Sequence, residues 1–284
     1  MLINADARQI PLSDQSVQMV VTSPPYNVGV GYDAWDDNLS FQDYWEFMLL
    51  WLKECYRVLV PSGRIAINVP NIGNSSDFGG KGKGVIAHMP LTITAMQEAG
   101  FQIRDCITWF KTHAESIDEV EQSFCGNNTA WGSWQSPSNP FCRSFSEFIV
   151  VAHKESPTLA WKGHSDLARE EFMLWTRNVW LMATVSNPEH PAPFPLELPS
   201  RLIKLYTYPG DLILDPFSGT GTTVKAAHQL NRRAIGLDLS PNYLVRAQYE
   251  VSVQSGNFEL AQQIIRRPRE TAISDLPMFR EEPA

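Results

Sequence analysis

Short, nearly continuous apolar runs alternate along this chain with longer stretches whose apolar positions recur at helical spacing. The runs "SVQMVVTS" (16–23), "RIAINV" (64–69), "FQIRDCITWFK" (101–111), "EFIVVAHK" (147–154), "DLILDPF" (211–217) and "RAIGLDLS" (233–240) read as strands. Between them, "FQDYWEFMLLWLKECYRVL" (41–59), "VIAHMPLTITAMQEAG" (85–100), "LELPSRLIKLYT" (196–207), "TVKAAHQLN" (223–231) and "PNYLVRAQYEVSVQ" (241–254) read as helices. Ser40 followed three residues later by Asp43 has the form of a capping box, Pro61 and Gly63 stop the first helix, and Gly100 stops the second. The β-α-β-α unit in the last third calls for a parallel sheet with helices on its faces.

Elsewhere the periodicity lapses. Residues 70–84, "PNIGNSSDFGGKGKG", read as a long Gly-, Ser- and Asn-rich loop carrying Lys81 and Lys83. Regularity fades again from Thr112 to about Phe145, and from the 147–154 strand to about Pro193. Four segments follow: 1–111, one half of an α/β core; 112–185, an irregular insertion with one core strand near 146–153; 186–265, the other half; and 266–284, expected to be a poorly ordered tail.

Composition narrows the class. With 43% apolar and 11% aromatic residues over 284 positions, general disorder is excluded. No apolar run approaches the ~18 residues that would span a bilayer, and "MLINADARQI" lacks a basic region followed by an apolar one, so a cytoplasmic protein with no membrane partner is expected. Cys55, Cys106, Cys125 and Cys142 stand apart, the six histidines are scattered, and no metal is expected. The formal net charge of -8 argues against a nucleic-acid partner only weakly, because a local basic cleft can coexist with an acidic exterior.

Two short stretches carry chemistry. "DPFSGTGTT" (215–223) lies between a strand and a helix, the setting in which a glycine loop receives a nucleotide-like ligand; Gly219 and Gly221 would let the backbone approach it, and the helix start at Thr222 and Thr223 offers N–H groups. It is neither a P-loop nor a dinucleotide fingerprint, and a plain tight turn is the alternative. Asp238 follows about 20 residues later, where a carboxylate accepts from ribose hydroxyls or, alternatively, caps the next helix. The second stretch is "TSPPY" (22–26). Two prolines fix the turn and supply no N–H, so a strand end presents the Ser23 hydroxyl, the Pro24 carbonyl and the Tyr26 ring.

Together, "TSPPY", "DPFSGTGTT" and the acid of "GLDLS" resemble the S-adenosylmethionine-dependent DNA amino-methyltransferases. The catalytic turn precedes the cofactor loop, as in the beta class of that family. The resemblance implies an α/β, Rossmann-like methyltransferase fold: a mostly parallel twisted sheet with helices on both faces and an irregular target-recognition insertion. It implies that Ser23 and the Pro24 carbonyl, held rigid by Pro25, grip an exocyclic amine while Tyr26 stacks on a flipped base. It further implies that Phe217, Gly219, Gly221 and Thr222 with Asp215 beside them, Asp238, Asp6 of "NADA", and Phe194 and Pro195 of "HPAPFPLELPSRL" surround the cofactor. "ITWFK" is similar to a family strand that adds an aromatic to the base pocket, which singles out Trp109 or Phe110, with an ordinary core aromatic as the alternative.

The chemistry of an aromatic amine agrees with this resemblance. Its lone pair is delocalised into the ring, and two fixed acceptors hold the N–H bonds out of plane and favour the charge that develops on nitrogen. Ring-carbon methylation needs a thiol nucleophile in a Pro-Cys turn, and no cysteine here follows proline. A leading Ser resembles the cytosine-N4 members, so N4-methylcytosine is expected, with adenine N6, a catalytically inactive DNA-binding relative and a small-molecule amine enzyme as alternatives. Expected partners are double-stranded DNA, a second copy in a homodimer and a cognate restriction endonuclease. Trp131, Trp134, Asn139 and Arg143 in the insertion, with Lys81 and Lys83, are the candidate DNA contacts, a solvated loop being the alternative for the two lysines.

Overall fold

The computed structural model describes residues 1–75, 84–114, 133, 135–140, 144–185 and 193–254. After β1 (Leu2–Asn4) and β2 (Val17–Thr22), Ser40 accepts the Asp43 N–H at 3.1 Å and donates to its carboxylate at 2.7 Å, starting α1 (Phe41–Val58). The chain continues through β3 (Leu59–Pro70), a small hairpin of β4 (Ile72–Ser75) and β5 (Gly84–Ala87), α2 (His88–Glu98), β6 (Gln102–Lys111) and β7 (Ser146–His153). Then come α3 (Arg169–Trp175), β8 (Val179–Met182), α4 (Glu197–Tyr206), β9 (Leu212–Asp215), α5 (Thr222–Gln229), β10 (Arg233–Asp238) and α6 (Pro241–Gln254).

Eight strands form one sheet in the order β1-β10-β9-β2-β3-β7-β6-β8. All neighbours pair in parallel except β7, which runs antiparallel to both β3 and β6. Apolar side chains of α1 and α2, among them Trp51, Leu52 and Met96, bury one face of the sheet; Leu202 of α4, Val224 and Ala227 of α5 and Leu244 of α6 bury the other. Each of the leucine, valine and methionine side chains among these contributes roughly 1.5–3 kcal/mol. Among the described residues, no helix is long and apolar enough to cross a membrane.

The described stretch from Lys154 to Val185 is more regular than its sequence pattern. Trp180 of β8 is fully buried beside Trp109, and β8 closes the sheet next to β6. Only four residues long, β8 gives no alternation to detect, because its partners and not its own pattern hold it in place.

The connection from β2 through α1 leads to β3 on one side, and that from β9 through α5 leads to β10 on the other. Neighbouring strands whose connections diverge leave a crevice at their carboxyl ends. Both chemistry-bearing stretches begin there.

Candidate active site

Thr22 and Asp215 end these two neighbouring strands, and the Thr22 Oγ1 hydroxyl donates to Asp215 Oδ1 at 2.6 Å across the crevice. The same Oδ1 accepts the Phe217 N–H at 3.1 Å. Burial pushes the Asp215 carboxyl up to about 6 despite these bonds. Asp215 thus joins the two loops from beneath, and it does not line the cleft above them.

That cleft encloses about 920 Å³, continuous with solvent. Asp6, Ser23, Pro25, Tyr26, Phe194, Phe217, Gly219, Thr222 and Asp238 line it together, so the two motifs and the acid form one site. Asp238 accepts the Gly219 N–H and the Ser240 N–H, both at 2.8 Å, one on each oxygen, and burial raises its pKa against them. A carboxylate has about four lone-pair sites, so acceptor capacity remains for a diol. The helix cap belongs to its neighbour: Ser240 Oγ accepts the Tyr243 N–H at 3.2 Å. Asp6 is half-buried and gripped by Arg8, whose bonds together outweigh burial and hold the carboxyl below its ordinary range.

Gly221 belongs elsewhere. Its φ is +85°, and a Cβ added there would lie 2.8 Å from the Ala247 Cβ of α6. Helix packing and a left-handed backbone therefore require this glycine, and close approach of a ligand does not. Pro24 and Pro195 are buried beside the cleft without lining it.

At the other end of the cleft, Tyr26 does more than offer a ring. Its hydroxyl lies 2.6 Å from Ser23 Oγ and 3.1 Å from the Asn68 carbonyl, and it accepts from Asn68 Nδ2 at 3.1 Å. Burial, with the nearby charge of Glu147, pushes the phenol well above its ordinary value of 10.0, so it keeps its proton. Ser23 Oγ also lies 3.3 Å from the Asn68 carbonyl. Two hydroxyl protons and one carbonyl make a closed account: either Ser23 donates to Tyr26 and Tyr26 to Asn68, or Tyr26 donates to Ser23 and Ser23 to Asn68. With the Ser23 proton turned outward, either the Asn68 carbonyl loses both hydroxyl donors or, with Tyr26 donating to it, the Ser23 and Tyr26 oxygens face each other at 2.6 Å with no proton between them; either loss costs about 0.5–1.5 kcal/mol. Toward the cleft, Ser23 is an acceptor.

The strap after this turn is rigid. Asp37 accepts N–H bonds from Asn27, Val28 and Val30 at 2.8–3.0 Å, and Asn27, at φ +56°, exchanges two bonds with Leu39. It carries Tyr32 and Trp35 into the cleft wall, where Trp35 meets Phe47 and Phe47 meets Phe217 at ring distances of 4.5 and 5.8 Å. None of Tyr32, Trp35, Phe47, Tyr243 or Asn68 stood out in the sequence. Aromatics at helical spacing on α1 look alike whether they face a core or a cleft.

Trp109 is not a base-pocket aromatic: it is 2% exposed, packs among core residues and donates its indole N–H to the Met182 carbonyl at 3.0 Å. Phe110 is half-buried and does not line the cleft. Asn139 is exposed, while Lys81, Lys83, Trp131, Trp134 and Arg143 lie outside the described residues. Among the described residues, no His, Cys, Asp and Glu cluster could hold a metal ion.

This geometry fits S-adenosylmethionine: an acid with spare lone pairs for a ribose, a glycine backbone at a helix start, and an aromatic wall that can face a sulfonium. The chain is 34% identical over 188 residues to the Type II methyltransferase M.MjaVI of Methanocaldococcus jannaschii, covering 66% of this chain and 88% of that one. It is 27% identical over 262 residues to the Type II methyltransferase M.HpaI of Haemophilus parainfluenzae, covering 90% and 74%. Among solved structures, the DNA modification methylase TTHA0409 of Thermus thermophilus, complexed with S-adenosyl-L-methionine, superposes with a TM-score of 0.67 at 27% identity, over 89% of this chain and 93% of that one. A family model described as DNA methylase matches residues 17–248, and the chain therefore belongs to the N6/N4 methyltransferase family of DNA methylases, with S-adenosylmethionine as its cofactor.

Proposed function

We propose that this protein is a site-specific methyltransferase of duplex DNA that acts on the exocyclic N4 amine of a flipped cytosine. The observation that carries the reading is the Ser23–Tyr26–Asn68 arrangement, which makes Ser23 an acceptor at the mouth of the cofactor cleft. Beside it, among the described residues, none donates to the Pro24 carbonyl. Two acceptors on a rigid turn suit the two N–H bonds of one amine. Ser23 as the leading residue of the turn, similar to the cytosine-N4 members, favours cytosine over adenine.

When bound, S-adenosylmethionine supplies an electrophilic methyl group on sulfur and departs as a neutral thioether. Ser23 Oγ and the Pro24 carbonyl hold the amine hydrogens away from the ring plane, which restores the lone pair to nitrogen. As nitrogen bonds to the methyl carbon and becomes positive, both acceptors stabilise that charge, and one hydrogen leaves as a proton to water in the cleft, which is continuous with solvent. Part of the Tyr26 ring faces the cleft, where it stacks against the extruded base and offsets a few kcal/mol of lost pairing and stacking. Asp238 binds the ribose, Phe217 and Phe194 flank the methionine end, and the Asp6 segment borders the adenine. Residues 112–185 read the target sequence, a second copy of the chain pairs with the first, and the enzyme protects cytoplasmic DNA from a cognate endonuclease.

The test is to incubate the protein with mixed-sequence duplex DNA and methyl-labelled S-adenosylmethionine, digest to nucleosides and identify the labelled base by mass. N4-methylcytosine, abolished by Ser23→Ala, is the expected result. Label in N6-methyladenine would overturn the choice of base, and no label in any base would overturn the whole reading.

A further inference from the structure

We propose that Glu147 is a positioning residue for the amine clamp, acting through the side chain of Asn68; the proposal rests on the reading of Ser23 and Pro24 as that clamp. β7 is the one strand of the large sheet that runs against its neighbours, and it places Glu147 opposite Pro70 on β3 and Trp109 on β6. The carboxylate is 15% exposed. It accepts from Asn68 Nδ2 at 2.5 Å on one oxygen and pairs with the Lys111 ammonium on the other. The same Asn68 Nδ2 donates to the Tyr26 hydroxyl oxygen at 3.1 Å.

Asn68 is 3% exposed, and among the described residues its Oδ1 has no hydrogen-bond partner. Nothing on the oxygen side therefore sets the orientation of this amide, and the two ends of an amide are nearly alike in shape. Glu147 sets it: a carboxylate facing Oδ1 would repel it, whereas facing Nδ2 it accepts a charge-assisted bond. With Nδ2 held toward Tyr26, the phenol oxygen is an acceptor from Asn68, and its single proton is committed to Ser23 or to the Asn68 carbonyl. Rotated by half a turn, the amide would draw the Tyr26 proton to Oδ1 and withdraw a donor from the Ser23 end. Lys111 braces the carboxylate from the far side and lies over the Trp109 ring, 5.2 Å from its centroid. Trp109 thus supports the site from behind without touching the cleft.

The test uses the full chain labelled with 3-fluorotyrosine, the Tyr26 resonance being identified by its loss in Tyr26→Phe. Glu147→Gln, close in shape, is expected to move that fluorine resonance and to lower kcat about 10- to 100-fold, the loss typical of a displaced catalytic group. S-adenosylmethionine affinity, DNA KM and melting temperature should stay close to those of the parent, and Glu147→Asp, which keeps the charge, should recover part of kcat. An unmoved resonance, an unchanged kcat, or a loss of cofactor affinity equal to the loss in kcat would overturn the proposal. A resonance that moves in a protein that methylates no base amine would support the Glu147–Asn68–Tyr26 link and overturn the clamp reading instead.

Discussion

Replacing Asp215 by Asn removes a buried carboxyl while keeping its shape, and with it a pH-dependent part of the stability. The residue is 1% exposed, and burial raises its pKa from 3.8 to about 6 in the folded protein. In the unfolded chain it titrates near 3.8, so between about pH 4 and pH 6 the folded state holds a proton that the unfolded state has lost. Stability therefore falls as pH rises through that window. At roughly 1.4 kcal/mol per pH unit, the gap amounts to about 3 kcal/mol lost by pH 7. Asn keeps Oδ1 as the acceptor for Thr22 Oγ1 and the Phe217 N–H and does not titrate. Urea unfolding of both proteins at several pH values is the assay. Relative to the parent, Asp215→Asn should gain about 3 kcal/mol between pH 4 and pH 7. A difference independent of pH would refute the reasoning, and a gain on acidification would mean that the two hydrogen bonds outweigh burial.

Three further substitutions test separate parts of the site. Gly221→Ala meets the Ala247 Cβ at 2.8 Å in a left-handed backbone and should cost about 1–3 kcal/mol in thermal unfolding, part of it returned by Ala247→Gly. Asp238→Asn leaves one of two backbone N–H groups facing an amide instead of a carboxylate; calorimetry should show S-adenosylmethionine binding weakened about 10- to 100-fold, as for loss of a charged acceptor. Tyr26→Phe removes the 2.6 Å partner and leaves the Ser23 hydroxyl only the Asn68 carbonyl at 3.3 Å, so its proton is held less firmly away from the cleft and kcat should fall up to roughly tenfold while cofactor affinity holds, measured by single-turnover methyl transfer and by calorimetry.

Much of the fold was legible because it rests on local patterns. α1 and α6 coincide with their apolar periodicity and caps, and β2, β6 and β7 lie where the apolar runs put them. What escaped depends on neighbours: β8 is a strand because β6 pairs with it, and β1 because β10 does. The site divides in the same way. Ser23, Gly219 and Asp238, which line the cleft, are marked in the sequence by turn chemistry and spacing, because the local backbone sets where each lies. Asn68 and Glu147 carry no such mark, because their contacts exist only where β3, β6 and β7 lie side by side. Gly221 shows the converse failure: a motif glycine whose reason is a helix arriving from later in the chain.

That lateral logic also explains how two motifs far apart in the chain make one cleft. The Thr22–Asp215 bond spans 193 residues of sequence yet joins adjacent strand ends. The sheet requires only that β2 and β9 be neighbours with connections leaving in opposite directions. It places no demand on which motif comes first. The order found here leaves the path between the clamp and the cofactor loop free to carry β6, β7 and β8, and with them the one reversed strand. A parallel strand in the place of β7 would present its carboxyl end at this edge, and its side chains would enter with the opposite lean. Reversal brings Glu147, near the start of β7, up beside Asn68, near the end of β3. The insertion that separates the two motifs thus also supplies a carboxylate that reaches one of them through Asn68 and Tyr26.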